Sequence, residues 1–320
     1  MPTLPETVRA SCRAVADAAR LVRINHDRLA AYATSLSGDG LPTPTYDLDY
    51  HFRGSPADTI AFVLTLDSIN FGSGYFPHLK KRPGLSGYFT IAAALTDRFN
   101  ASGPFSAAEL SVLTGSECAD LFDQHQDNPV ALELMGHFAC ALNDLGHFVG
   151  ERFGGDYAAV VATAGGSAAR LSEALTAMPY FQDVARHGDR EVAFYKRAQI
   201  TVADLALAFD RQGPGHFPDL DQLTMFADNL VPHVLHIDGV LEYDPALAAT
   251  IERGELIPAG SAAEVEIRAV ALDAVERLVT ILQADGQRIT AMDLDNLLWY
   301  RGGGAIYKQR PRHRTRTVFY

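Results

Sequence analysis

Between residues 194 and 241 the chain keeps an apolar helical spacing that a single proline interrupts. Phe194, Ala198, Val202, Leu205, Ala206 and Phe209 recur at three- and four-residue steps, the period of an amphipathic helix. Leu223, Phe226, Ala227 and Leu230 form a second apolar face, with Asp221 placed as its N-cap. Pro232 cannot continue that face as one helix. It lacks the N–H that would bond to the carbonyl of residue 228, and its ring would clash there. The spacing predicts a helix over 220–241 that kinks or restarts, with Pro232 at the first position of the new helix. Two charged residues, Lys196 and Asp228, fall inside this apolar setting. Asp228 would then lie just before a helix start, where the aligned peptide dipoles favour a carboxylate. Two readings stand for the pair: a helix cap and a surface lysine, or an ionised acid placed to face a developing cation.

The same period recurs along the chain. It predicts a long opening helix over 8–29, broken near Ile24-Asn25, and helices over 59–69, 87–99, 129–153, 166–178, 191–209 and 246–253. Ser106-Ala-Ala-Glu109, Ser261-Ala-Ala-Glu264 and Thr290-Ala-Met-Asp293 have the spacing of capping boxes and open helices near 107–114, 262–284 and 291–300. Residues 38–44 read as a turn-rich loop, and 46–52 alternate as a short strand or an extended loop. No strand–helix alternation and few β-rich runs appear, which argues against a parallel sheet and for an all-α fold class with at most a few short strands. A DNA-glycosylase-like arrangement of helices is compatible with this pattern. The 320 residues, 48% of them hydrophobic, suit one helical domain over 1–320, with room for two lobes divided near 155–190.

Composition narrows the function classes. No run approaches 18 uninterrupted apolar residues, and the amino-terminal stretch lacks a secretory apolar core, so neither a membrane span nor export is expected. Cys12, Cys118 and Cys140 are odd in number and far apart, the usage of reduced thiols in a cytoplasm. The net charge of −12 argues against a surface built to grip a nucleic-acid backbone and favours a small nucleotide in a locally basic pocket.

Phe194-Tyr-Lys-Arg-Ala-Gln199 and Phe226-Ala-Asp-x-x-Val-Pro232 resemble the two signatures of the queuosine salvage family. The resemblance extends to residues 8–29, 67–71, Gly87-Tyr-Phe89, 264–269 and the end, Pro311-x-His-Arg-x-Arg316 to Tyr320. Members of that family are hydrolases that release the base queuine from queuosine 5′-phosphate. The chain departs from the pattern at Asn229, at His233 and at Gly72-Ser-Gly74, which separates the Asn-Phe motif from Tyr75-Phe76; these changes bear on base contact rather than on the reaction.

The resemblance implies roles residue by residue. Breaking an N-glycosidic bond passes through an oxocarbenium-like sugar, which a carboxylate stabilises, and queuine has carbon where a purine offers N7 for protonation. Asp228 is then the carboxylate facing the anomeric carbon, with Lys196 fixing that carboxylate or the 5′-phosphate. Asp67, Asn70 and Phe71 form a base-recognition group, with His51 and Phe226 as neighbours. Arg197, Arg312, Arg314, Arg316 and Tyr320 are phosphate candidates; an extended tail would align the last three arginines on one face, or they pair with an acidic surface. Arg268 reads equally well as structural. Asp144-x-x-His147, with Glu133, His137, His233 and His236, is half of a di-iron pattern whose second half is missing, so no metal is expected. No phosphate loop or dinucleotide fingerprint is present, so no cofactor is expected. The expected partner is the nucleotide alone, without a membrane or direct nucleic-acid binding. The rival functions are a DNA-repair-type base glycosylase, which needs a basic duplex-wide groove, and a non-catalytic helical binding protein for a nucleobase or partner chain.

Overall fold

The computed structural model describes residues 2–36, 44–124 and 127–320. Most of the loop expected over 38–44 lies outside these residues. Helices make up 59% of the chain, and the described residues hold four short strands in two small antiparallel sheets, in line with an all-α class. The chain packs as two compact units. One comprises Met1–Pro44, Asp183–Gln199 and Asp219–Arg316; the other comprises Thr45–Gln182, Ile200–Pro218 and Thr317–Tyr320.

The first unit is built on the helix Ala262–Ala284. Its residues from Glu264 to Val275 are buried without a break, so it has no solvent face there and must be surrounded. The helices Leu4–Ala16, His26–Leu36, Leu230–Ile237 and Ala291–Arg301 pack against it. Leu4–Ala16 opens on a Thr3/Glu6 capping box and buries Leu4, Val8, Cys12 and Val15 as one stripe. It stops well before the break expected at residue 24. The Glu266 carboxylate accepts the N–H groups of Arg20, Leu21 and Val22 at 3.0, 2.6 and 3.2 Å, satisfying a backbone that helix would otherwise pair internally. Val22–Ile24 then pairs antiparallel with Leu241–Tyr243. The helix expected over 191–209 also starts late: Arg190–Ala193 pairs antiparallel with Val184–His187, and helix begins only at Lys196.

In the second unit the helix Pro129–Phe153, as expected from its spacing, packs against Pro56–Ser68, Gly115–Leu121 and Ala107–Leu110. Gly146 permits the closest approach, since a Cβ there would meet the Ser111 nitrogen at 2.5 Å and the Ala107 carbonyl at 2.6 Å. Phe71, Phe122 and Phe138 meet edge to face in its core, with ring centroids 5.2 and 5.6 Å apart. The segment 46–52 is a loop with a turn at 48–50 rather than a strand.

Candidate active site

The second half of the apolar stretch that holds Asp228 is not one helix. A single 3-10 turn spans Leu220–Gln222, residues 223–228 are irregular, and an α-helix covers Leu230–Ile237. Asp221 lies inside the 3-10 turn and caps nothing that follows. The reason is a set of side chains that reach this backbone from elsewhere. Arg9 donates to the Leu223 carbonyl at 3.2 Å, and the Gln199 amide brackets Thr224, accepting its N–H at 3.0 Å. Asp295 accepts the Phe226 N–H at 3.1 Å, and Arg268 donates to the Ala227 carbonyl at 3.0 Å. With these partners supplied, helical pairing offers no advantage. Pro232 falls at the third position of the new helix rather than the first, still in the turn where a missing N–H costs nothing.

Asp228 sits just before that helix, as the proline suggested. Its Oδ1 accepts the N–H of Leu230 at 2.9 Å and of Val231 at 3.0 Å, so the carboxylate meets the positive end of the peptide dipoles. Both bonds fall on one oxygen. The side chain stays partly exposed although protein surrounds it closely. Burial pushes its pKa upward, while the Val231 N–H, Lys196, the Leu230 N–H and Arg312 pull the other way.

A second carboxylate, absent from the sequence reading, shares this field. Asp295 is buried on the helix Ala291–Arg301. Burial raises its pKa well above the usual carboxylate range and the Asp228 charge raises it further, against the Phe226 N–H and Lys196. Both carboxyls are pushed upward, Asp295 well above the ordinary aspartate value. A signal for it existed: Ala291, Met292, Leu294, Asp295 and Leu298 form one buried helical stripe, and an acid within such a stripe needs a partner.

Lys196 and Arg197 are the first two residues of the helix Lys196–Ala208, and both are buried. Arg312 is exposed and acts on Asp228 through its charge. Along the tail the odd positions His313 and Thr315 are buried while Arg312, Arg314 and Arg316 are less so, the alternation of an extended segment. Arg314 donates to the Gly254 carbonyl at 2.7 Å, and its own carbonyl accepts the Ile257 N–H, so its fork is engaged by a loop. Asn229 holds the tail by donating to the His313 carbonyl at 3.2 Å. The first unit thus gathers Asp228, Lys196, Phe226 and Arg312, and adds Asp295.

The other candidates lie in the second unit. Asp67, in the last turn of Pro56–Ser68, accepts a bond from the Asn70 amide at 3.2 Å. Phe71 is buried edge-on to Phe138. His51 spans the Asp47 carbonyl and the Tyr88 hydroxyl, both at 2.9 Å, and burial lowers its pKa, which favours the neutral ring. Tyr320 is buried, and its carbonyl accepts the N–H of Gly72, whose φ of 103° suits glycine. The histidines weighed for a metal have other partners: His137 meets the Tyr180 hydroxyl, His147 meets Glu151, His233 the Tyr307 carbonyl and His236 the Leu241 carbonyl. Among the described residues no three potential metal ligands cluster.

Fold and site together define a mainly helical protein whose charged centre sets two carboxylates and a lysine around a helix start. The chain belongs to the queuosine salvage protein family, whose pattern matches residues 50–320. It is 37% identical over 318 residues to a protein of Sphaerobacter thermophilus, covering 98% of this chain and 97% of the relative. It is 33% identical over 264 residues to one of Dictyostelium discoideum, covering 82% and 78%, and 30% identical to one of Mus musculus, covering 99% of each. All three relatives are named queuosine 5′-phosphate N-glycosylase/hydrolase.

Proposed function

We propose that this chain is a nucleotide N-glycosidase that hydrolyses queuosine 5′-phosphate to queuine and ribose 5-phosphate, supplying the base for tRNA modification. The observation that carries the chemistry is a partly exposed Asp228 whose Oδ1 accepts two N–H groups of a helix start, in the same field as a buried Asp295 whose pKa is pushed well up. As the bond from C1′ to the base nitrogen lengthens, positive charge builds on the sugar and negative charge on the base. Asp228 faces the first, and its grip by two amides spares it reorganisation. Asp295 supplies a proton toward the second, replacing the N7 route that a deazapurine lacks. Water adds its oxygen to C1′, and its proton restores the pair to the starting state.

Lys196 and Arg312 are assigned to the 5′-phosphate; Arg197, Arg316 and Tyr320 are weaker candidates, and the engagement of Arg314 by Gly254 ranks it last. Asp67, Asn70, Phe71 and His51 are assigned to the base on their chemistry alone, an acid and amide for a guanine-like edge and rings for stacking. Three free cysteines and the absence, among the described residues, of a helix long and apolar enough to cross a membrane agree with a cytoplasmic place. The deciding experiment incubates the protein with queuosine 5′-phosphate and with the unphosphorylated nucleoside, and follows free queuine by chromatography. Release from the nucleotide is expected; no release from either compound would refute the proposal, and equal rates would remove the phosphate assignment.

A further inference from the structure

Two backbone segments must be held in register for the proposed chemistry, the turn that launches Lys196 and the loop that presents Asp228. One buried ion pair touches both. The Asp183 carboxylate accepts the Lys196 N–H at 3.2 Å, and the Asp183 carbonyl accepts the N–H groups of Phe194 and Tyr195 at 3.0 and 3.2 Å. Tyr195 has φ of 47°, a left-handed conformation that a bulky side chain adopts only when its surroundings impose it. Asp183 imposes it, taking three successive N–H groups of this turn.

Arg268 carries the restraint onward. Its fork donates to both Asp183 oxygens, at 3.0 and 2.6 Å, and its Nε donates to the Ala227 carbonyl, one residue before Asp228. The guanidinium lies 3.9 Å from the centre of the Phe194 ring, which fixes its plane. Arg268 is 1% exposed and Asp183 2%, so solvent does not loosen the pair. We infer that Asp183 and Arg268 are positioning residues that set the placement of Lys196 relative to Asp228. This rests on the glycosidase reading and deepens it. A planar fork is required, because a lysine ammonium at 268 cannot hold two carboxylate oxygens and a carbonyl in one plane.

Glu264 supplies the control. It also meets the Arg268 guanidinium, at 3.4 Å, and otherwise accepts the Gly260 N–H, touching neither catalytic segment. Steady-state kinetics on queuosine 5′-phosphate are compared for the wild type, Asp183→Asn, Arg268→Lys and Glu264→Gln, each normalised to its folded fraction by near-ultraviolet circular dichroism. Asp183→Asn and Arg268→Lys are expected to lose at least tenfold in kcat with KM within about threefold, while Glu264→Gln keeps kcat within about twofold. Folded Asp183→Asn with unchanged kcat, or equal losses in Asp183→Asn and Glu264→Gln, overturns the positioning role and leaves the glycosidase reading standing. A wild type that leaves the nucleotide intact overturns both. Should the first two variants fail to fold, amide exchange in the wild-type protein decides. The Lys196 amide is expected to exchange as slowly as those of the buried helix Ala262–Ala284, and exchange at open-loop rates overturns the inference.

Discussion

Two loops carry candidate site residues, and they are held in different ways. Residues 223–229 are irregular because charged and amide side chains from distant parts of the first unit take up their backbone groups. Residues 67–71, in the second unit, leave the helix Pro56–Ser68 through local turns, with the Asn70 and Phe71 N–H groups on the Asp67 and Ile69 carbonyls, and Phe71 packs among rings. The first arrangement fixes where a charge sits to within a hydrogen bond. The second fixes shape through packed rings. A reaction that develops charge needs the first more than the second, so the two loops should respond differently to substitution.

The sharpest way to break that contrast is Asp228→Asn. It keeps volume and removes charge, and should lower kcat by about a thousandfold, roughly 4 kcal/mol of transition-state stabilisation, with little change in melting temperature. Lys196→Met should follow, with a loss of about a hundredfold in kcat/KM for the phosphorylated substrate and a smaller one for the nucleoside; identical losses for both would take Lys196 off the phosphate.

Asp295→Asn should also cost about a hundredfold in kcat and change the pH dependence of stability. The folded-state pKa of Asp295 is raised, so the native state holds a proton that the unfolded chain releases above the ordinary aspartate value of 3.8. The stability this favours is complete below that value and is lost as pH rises towards the folded pKa. The asparagine mimics the protonated acid, so the variant should melt above the wild type at pH 7 and match it below pH 3.8. A constant offset at both pH values would show that folding does not raise the Asp295 pKa. The smallest effect belongs to the other loop. Phe71→Leu should cost about 1 kcal/mol in denaturant titration and raise KM while leaving kcat within a few-fold; a loss comparable with that of Asp228→Asn would erase the distinction between the loops.

What could be read from the residues follows the same division. Helices with local signals were legible: Pro129–Phe153 and Ala262–Ala284 fall where period and capping placed them. Asp228 before a helix start was legible from Pro232, because the constraint is covalent. Hidden were the places where a remote side chain captures the backbone. Glu266 ends the first helix early, and Asp295 and Arg268 keep residues 226 and 227 out of helix, though their own segment has helical spacing. Asp295 stood within an apolar stripe and was open to notice; that its neighbour is Asp228 follows only from the tertiary fold.

The partners of the 223–229 loop are far away along the chain. Arg9 is 214 positions from Leu223, Asp295 is 69 from Phe226, Arg268 is 41 from Ala227 and Gln199 is 25 from Thr224. Contacts of such long range close late, after most of the chain has ordered. A nascent or partly unfolded molecule would therefore own every residue of the centre and none of its arrangement, and turnover would report completion of assembly in the first unit as a threshold rather than a gradient.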